Sequence, residues 1–244
     1  MKLLRDNAPV CEISSDCLVV AVLDGGPLSP TVEAIDEAGQ GAITDMLKSR
    51  DIAAAAGKTT MIHQPAGIAA KRLLVVGLGK AEKLTLARFN DACHKAGKVL
   101  RDHPVKSCHA SLHDIEFGGA DEHALLRQSA LALHNGNYLY TVTKQLKEEA
   151  PAPLEHVTLL AGPELQDAID QAQGYAAGFE KAKMLGDLPP NICTPAYLAQ
   201  EAAAIAKAHD RVELEILEES RMAEMGMDAL LGVSRGSAHD AKLI

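Results

Sequence analysis

The sequence predicts an α/β protein made of a mixed-sheet amino-terminal domain, a linker helix and an incomplete second α/β unit. Three observations carry that expectation. The first ~160 residues alternate strand-like and helix-like segments, the pattern of a sheet with helices on its faces. Residues 17–23 form a continuous apolar run closed by Asp24-Gly25-Gly26-Pro27, a strand signal that ends in a turn. A fresh helix and strand pattern then opens behind Pro189-Pro190, a pair through which no helix runs straight.

Within the first part, residues 31–49 carry Val32, Ile35, Ala42, Ile43, Met46 and Leu47 on a broken helical period, completing a βα unit after the first strand. Residues 59–63 and 73–76 read as two short strands. The segment 85–101 is a helix, with Leu86, Phe89, Cys93, Ala96 and Leu100 at three- and four-residue steps. A strand over 105–112, a helix over 121–138 and a last strand over 156–161 complete the predicted domain, residues 1–162.

Residues 163–187 read as a long linking helix with Leu165, Ile169, Ala172, Ala176, Phe179 and Met184 available for packing. Glu164 and Asp167 near its start and Lys181 and Lys183 near its end suit the helix dipole. The third segment, 188–244, begins with Pro189-Pro190-Asn191 and a helix start at Thr194-Pro195, where Thr is a good cap and Pro fits the first turn. Leu198, Ala202 and Ile205 give the helix over 194–208 one narrow apolar stripe directed at a core. Val212-Glu213-Leu214-Glu215-Ile216-Leu217 alternates with period two and predicts a strand. A helix over 218–225 follows, 229–234 fits either a short strand or a helix end, and 241–244 resembles the opening of another strand.

Composition narrows the function classes. The net charge of −9 argues against broad binding to nucleic acid or anionic membranes. No run approaches the ~20 apolar residues that span a bilayer, and the amino terminus lacks the apolar stretch of a secretory signal, so a cytoplasmic location is expected. Aromatic residues make up only 3%, which leaves Ala, Leu, Val and Ile to fill the core. Five cysteines without C-x-x-C spacing, Cys11, Cys17, Cys93, Cys108 and Cys193, fit reduced thiols better than a disulfide framework.

Three local motifs carry apparent chemistry. Gly57-Lys58-Thr59 matches the tail of a phosphate-binding loop, but Ile52 occupies the position of that motif's first glycine, so a helix end at Gly57 after residues 53–56 is the expected reading. Gly77-Leu78-Gly79 follows a strand, yet Glu82 stands where a dinucleotide fingerprint needs its third glycine. His103, Cys108, His109, His113 and Asp114 fall within twelve residues, but strand spacing would separate His109 from His113 by ~13 Å, beyond shared ligation. No Ser-His-Asp or Cys-His arrangement stands out.

The segment Leu188-Pro189-Pro190-Asn191, then Cys193-Thr194-Pro195 with Tyr197-Leu198-Ala199, Met225-Gly226-Met227, Leu230-Leu231, Val233, Arg235-Gly236-Ser237 and Lys242-Leu243-Ile244 resembles the start of the catalytic domain of the leucyl (cytosol) aminopeptidase family. Weaker likeness to the amino-terminal domain of bacterial members runs through Gly57-Lys58-Thr59-Thr60 and the stretch Lys71-Arg72-Leu73-Leu74-Val75-Val76-Gly77-Leu78-Gly79. Asp187 stands where bacterial relatives usually carry Asn, and His239-Asp240 is unusual in its stretch. The resemblance implies a metal-dependent exopeptidase that releases N-terminal residues from peptides and assembles as a hexamer. In the family, a lysine, aspartates and a glutamate hold two divalent ions, Mn or Zn, from the motifs V-G-K-G-x-x-F-D-[ST]-G-G and N-T-D-A-E-G-R. Neither motif occurs in this sequence. The expectation is therefore an amino-terminal portion truncated within its catalytic domain, with no catalytic, cofactor-binding or metal-ligating residue assigned in these 244 residues. The alternative is a non-catalytic DNA-binding or oligomer-assembly module, since some bacterial members bind DNA.

Overall fold

The structure is a computed structural model in which residues 1–144 and 154–244 are described. The chain divides into two compact units, Met1–Ala182 and Lys183–Ile244.

In the first unit six strands form one sheet in the order β1-β6-β5-β2-β4-β3. They are β1 Lys2–Asp6, β2 Cys17–Val22, β3 Thr59–His63, β4 Arg72–Gly77, β5 Ser107–Ser111 and β6 His156–Leu160. All pair in parallel except β3, which lies antiparallel along β4 at the edge. Every residue of β2 is buried, and its alternation divides the core. Cys17, Val19 and Ala21 join Phe89, Leu100, Leu126, Leu133 and Ile169 on one face, under α3 Leu86–Arg101, α4 Glu122–Asn137 and the first half of α5 Gln166–Asp187. Leu18, Val20 and Val22 meet Val32, Ile35 and Ile43 on the other, under α1 Pro30–Ala38 and α2 Ala42–Ser49. The result is a three-layer α/β/α arrangement.

Local chemistry sets the helix starts. Ser29, Thr85 and Asp121 each accept a hydrogen bond from a backbone N–H in the first turn of α1, α3 and α4. Helices α3 and α4 then pack backbone to backbone: a Cβ at Gly136 would fall on the His94 carbonyl oxygen.

Several sequence expectations need correction. β1 escaped detection because Lys2, Arg5 and Asp6 mask its single buried residue, Leu3, as often happens on charged edge strands. Residues 53–56 form no helix. Gly57 (φ +71°) closes a turn in which Lys58 N–H donates to the Ala55 carbonyl, and the chain enters β3 directly. Phe179, expected to pack, is exposed, and the buried residues of α5 stop at Ala176.

The second unit holds α6 Pro195–Ala208, α7 Glu219–Glu224 and α8 Asp228–Ser234, with a two-residue antiparallel pair, β7 Leu217–Glu218 and β8 Lys242–Leu243. Thr194 caps α6 through the Tyr197 N–H. The expected strand over 212–217 shrinks to β7 because only two residues, those of β8, pair with it. The stripe expected to face a core does not do so: Leu198 and Ile205 are exposed, and Ala199 is the buried residue of α6. The ambiguous segment 229–234 is helical. Among the described residues, no helix is long and apolar enough to cross a membrane.

Candidate functional site

The parallel strand order creates one place where a site is expected. β2 and β5 are neighbours, but the chain leaves β2 toward β4 and β3 through α1 and α2 on one face, and leaves β5 toward β6 through α4 on the other. Divergent connections open a crevice beyond the carboxyl ends of such a strand pair. A cleft of about 730 Å³ lies there, within the size range of small-molecule sites.

Its lining comes from the segments that follow the two strands. Ser29 and Pro30 at the start of α1 stand on one side, and His113 and Asp114 after β5, with Glu122 at the start of α4, stand on the other. Asp114 Oδ2 accepts the Thr31 N–H at 3.1 Å, placing a carboxylate at the positive end of α1. Thr31 Oγ1 donates to Ser111 Oγ at 3.1 Å, tying that helix to the last residue of β5. His113 is 4% exposed, and its Nε2 lies 3.8 Å from Glu122 Oε1. Burial pushes its pKa below the ordinary 6.5, against the lesser pull of Asp114 and Glu122, so the ring is neutral at pH 7.

The histidine-rich segment is thus split. His113 and Asp114 reach the cleft together. His103 donates from Nδ1 to the Val99 carbonyl at 2.7 Å, and Cys108 lies in the core beside Cys17. His109 points to the opposite face of β5 and forms a chain that spacing could not reveal. Its Nδ1 is 3.0 Å from Ser15 Oγ, and its Nε2 is 3.9 Å from Asp6 Oδ2. The order Ser-His-Asp looks catalytic, but the Ser15 hydroxyl donates to the Cys17 carbonyl at 3.0 Å. That bond leaves Ser15 Oγ to accept the Nδ1–H, so the imidazole has no lone pair toward the serine and cannot activate it.

The two glycine motifs are structural. No helix follows Gly57-Lys58-Thr59, so the backbone cradle of a phosphate loop is absent there. A Cβ at Gly77 would stand 2.5 Å from the carbonyl oxygens of Ala53 and Ala55, and Gly79 N–H donates to Ala54, so the G-x-G admits the backbone of that turn. Among the described residues, no three or more His, Cys, Asp or Glu converge in a way that could hold a metal ion.

Comparison with known proteins assigns the class of the fold and then the family. The structure superposes on that of tomato leucine aminopeptidase, a mutant form, with a TM-score of 0.79 at 20% identity over 99% of this chain and 49% of that one. It superposes on the bottromycin maturation enzyme BotP in complex with Mn with a TM-score of 0.73 at 21% identity, over 93% and 43% of the respective chains. These likenesses show a shared α/β fold. The model described as "Cytosol aminopeptidase family, N-terminal domain" matches residues 19–147, and that of the family's catalytic domain matches residues 180–244. The chain belongs to the cytosol aminopeptidase family. It is 37% identical to a "probable cytosol aminopeptidase" of Stenotrophomonas maltophilia over 241 residues, 99% of this chain and 48% of that protein. A protein of the same description from Xanthomonas oryzae is 38% identical over 99% of this chain and 49% of its own length. The chain spans about half the length of the curated relatives it matches.

Proposed function

We propose that these 244 residues supply the amino-terminal domain and the opening of the catalytic domain of a metal-dependent leucyl aminopeptidase, an exopeptidase that releases N-terminal residues from peptides. The carrying observation is the pair of family matches in chain order, together with 37% identity along 99% of the chain. The proposed parts are residues 1–162, a linking helix over 163–187 and the start of the catalytic domain over 188–244. Relatives named cytosol aminopeptidases support a cytoplasmic location, and the family supports assembly as a homohexamer.

In the proposed reaction two divalent ions, Mn or Zn, would supply Lewis-acid activation of the scissile carbonyl and of water. The described residues do not fit that pair, because no three or more His, Cys, Asp or Glu converge among them. The contribution of this chain is to fold the amino-terminal domain and to present α6 and the segments after it to the remainder of a catalytic domain.

The test is turnover of leucine amide. The purified chain alone with Mn²⁺, Zn²⁺ or Mg²⁺ is expected to show none. A fusion of the chain to the part of the Stenotrophomonas relative beyond the matched residues is expected to gain metal-dependent activity. Turnover by the chain alone, or an inactive fusion that folds and binds metal, contradicts the reading.

A further inference from the structure

We infer that β3 is an interface strand: it pairs with β3 of a second copy of this chain, antiparallel about a two-fold axis at Met61, so that two six-stranded sheets run on as one. Because β3 lies wholly in the first unit, this pairing is independent of the aminopeptidase reading.

Ladder chemistry decides which backbone groups are free. Gln64 N–H donates to the Lys71 carbonyl at 3.0 Å and Gly77 N–H to the Lys58 carbonyl at 2.8 Å. Both bonds fit the register in which Thr60 faces Val75 and Ile62 faces Leu73. Bonded and unbonded pairs alternate along an antiparallel ladder, so residues 58, 60, 62 and 64 turn their N–H and C=O groups inward to β4. Thr59, Met61 and His63 turn theirs outward, to the side of β3 where no other strand of the described residues lies. Donors and acceptors alternate along that side, which is the template for one more strand.

The two edges of the sheet differ in how they are guarded. β1, the opposite edge, carries Lys2, Arg5 and Asp6, and its Leu3 N–H donates to Gln173 Oε1 of α5 at 2.7 Å. Charges and covered donors close an edge to further strands. β3 is Thr59-Thr60-Met61-Ile62-His63, with no Lys, Arg, Asp, Glu or Pro and no bulge in its register. Its first four residues are half-buried, with Met61 packed on one core cluster and Ile62 on the other. A further strand would extend both clusters.

Self-complementarity selects a second copy as the occupant. The two-fold at Met61 sets Met61 against Met61 of the second copy, Thr59 against His63 and Thr60 against Ile62, with the flanking Lys58 against Gln64. No like charges meet directly across this ladder, and each outward residue both gives an N–H and receives one. Five residues a side bury less than the ~1,200 Å² of a standard interface, so the pair is weak and depends on concentration.

Residue 61 faces its own copy across the axis, which permits a charge swap in the full 244-residue chain. Met61→Lys and Met61→Glu keep an unbranched stem over the core while setting like charges opposite each other. Sedimentation equilibrium from ~10 µM to ~1 mM is expected to show a monomer–dimer equilibrium for the natural chain, and a dimer at least about fivefold weaker for each variant alone. An equimolar mixture of the two variants is expected to recover the association. Amide exchange at Thr59, Met61 and His63 is expected to slow as the natural chain is concentrated. Thr59→Pro removes an outward N–H at the first residue of the strand and leaves the β4 ladder intact; it is expected to weaken the dimer with a nearly unchanged unfolding midpoint, and it serves if the charged variants do not fold. Association through exposed residues of the second unit would not respond to residue 61. A chain monomeric throughout the range, association that the charged variants or Thr59→Pro leave unchanged, folded charged variants that fail to recover on mixing, or amide exchange at 59–63 independent of concentration overturns the inference.

Discussion

The two units contrast in how they treat their apolar side chains. In residues 1–182 the central strands β2 and β4 are buried almost end to end, and two clusters of Leu, Val and Ile fill both faces of the sheet. In residues 183–244 the buried hydrophobic residues are Leu188, Ala199 and Met222, while Leu198, Ile205, Val212, Leu230, Val233, Leu243 and Ile244 are exposed. Yet both units form capped helices of similar quality, with Thr85 and Thr194 playing the same part. Helix formation follows from caps and propensity near each start, whereas burial requires a partner surface. The second unit has the first of these and little of the second.

The largest expected effect separates the units by one methyl group. Gly136→Ala drives a Cβ into the His94 carbonyl across the α3–α4 contact and is expected to destabilise the first unit by about 3 kcal/mol or more. Gly232→Ala, inside α8 with nothing within 4 Å of the added carbon, is expected to stabilise its helix by about 0.5–1 kcal/mol. Urea unfolding of both variants, followed by amide NMR, checks the pair. Equal and opposite responses, or a neutral Gly136→Ala, would break the contrast.

Thiol labelling sharpens it without mutation. Burial pushes the Cys17 thiol up to about 12 and raises Cys93 and Cys108 as well, and all three are inaccessible in the sheet core. Cys193, half-buried in the turn before α6, is expected to react with a maleimide in native buffer well before those three, which should wait for global unfolding. Mass spectrometry of timed digests reads the order. Labelling of Cys93 as fast as Cys193 would show that the first unit opens as readily as the second.

A smaller effect comes from pH. Burial lowers the pKa of both His109 and His113 below 6.5, so the folded state binds a proton less readily than the unfolded chain. Their contribution to stability is fully present above pH 6.5 and is lost as pH falls from there through the folded values. The urea midpoint of the first unit is therefore expected to fall modestly between pH 7 and pH 5, and His113→Gln should flatten part of that slope. A midpoint that rises on acidification contradicts the assignment of both rings as neutral in the folded state.

Much of the fold was legible because its signals are local. The run at Cys17, the strand at Thr59, the helices that open near Thr85 and Asp121 and the cap at Thr194 sit where spacing and residue type put them. β1 was not legible, because its partner β6 is some 150 residues away and its own sequence is charged. The strand over 212–217 misled because alternation states only that one face could be buried, not that neighbours exist to bury it. The cleft was half legible: His113 and Asp114 drew attention as part of a histidine-rich cluster, but their meeting with Thr31 and Glu122 depends on β2 lying beside β5. The Ser15–His109 contact joins residues 94 positions apart and gave no sequence signal.

The central claim is that the first unit is a self-sufficient domain, while residues 183–244 open a domain that needs more surface than they contain. Native-state hydrogen exchange of the whole chain tests it most directly. Amides of β2 and β4 are expected to exchange only through global unfolding, and those of residues 212–244 to exchange faster by orders of magnitude, because β7 and β8 share a single two-residue ladder. Protection over 212–244 equal to that of β2 and β4 in a monomeric sample would contradict the account.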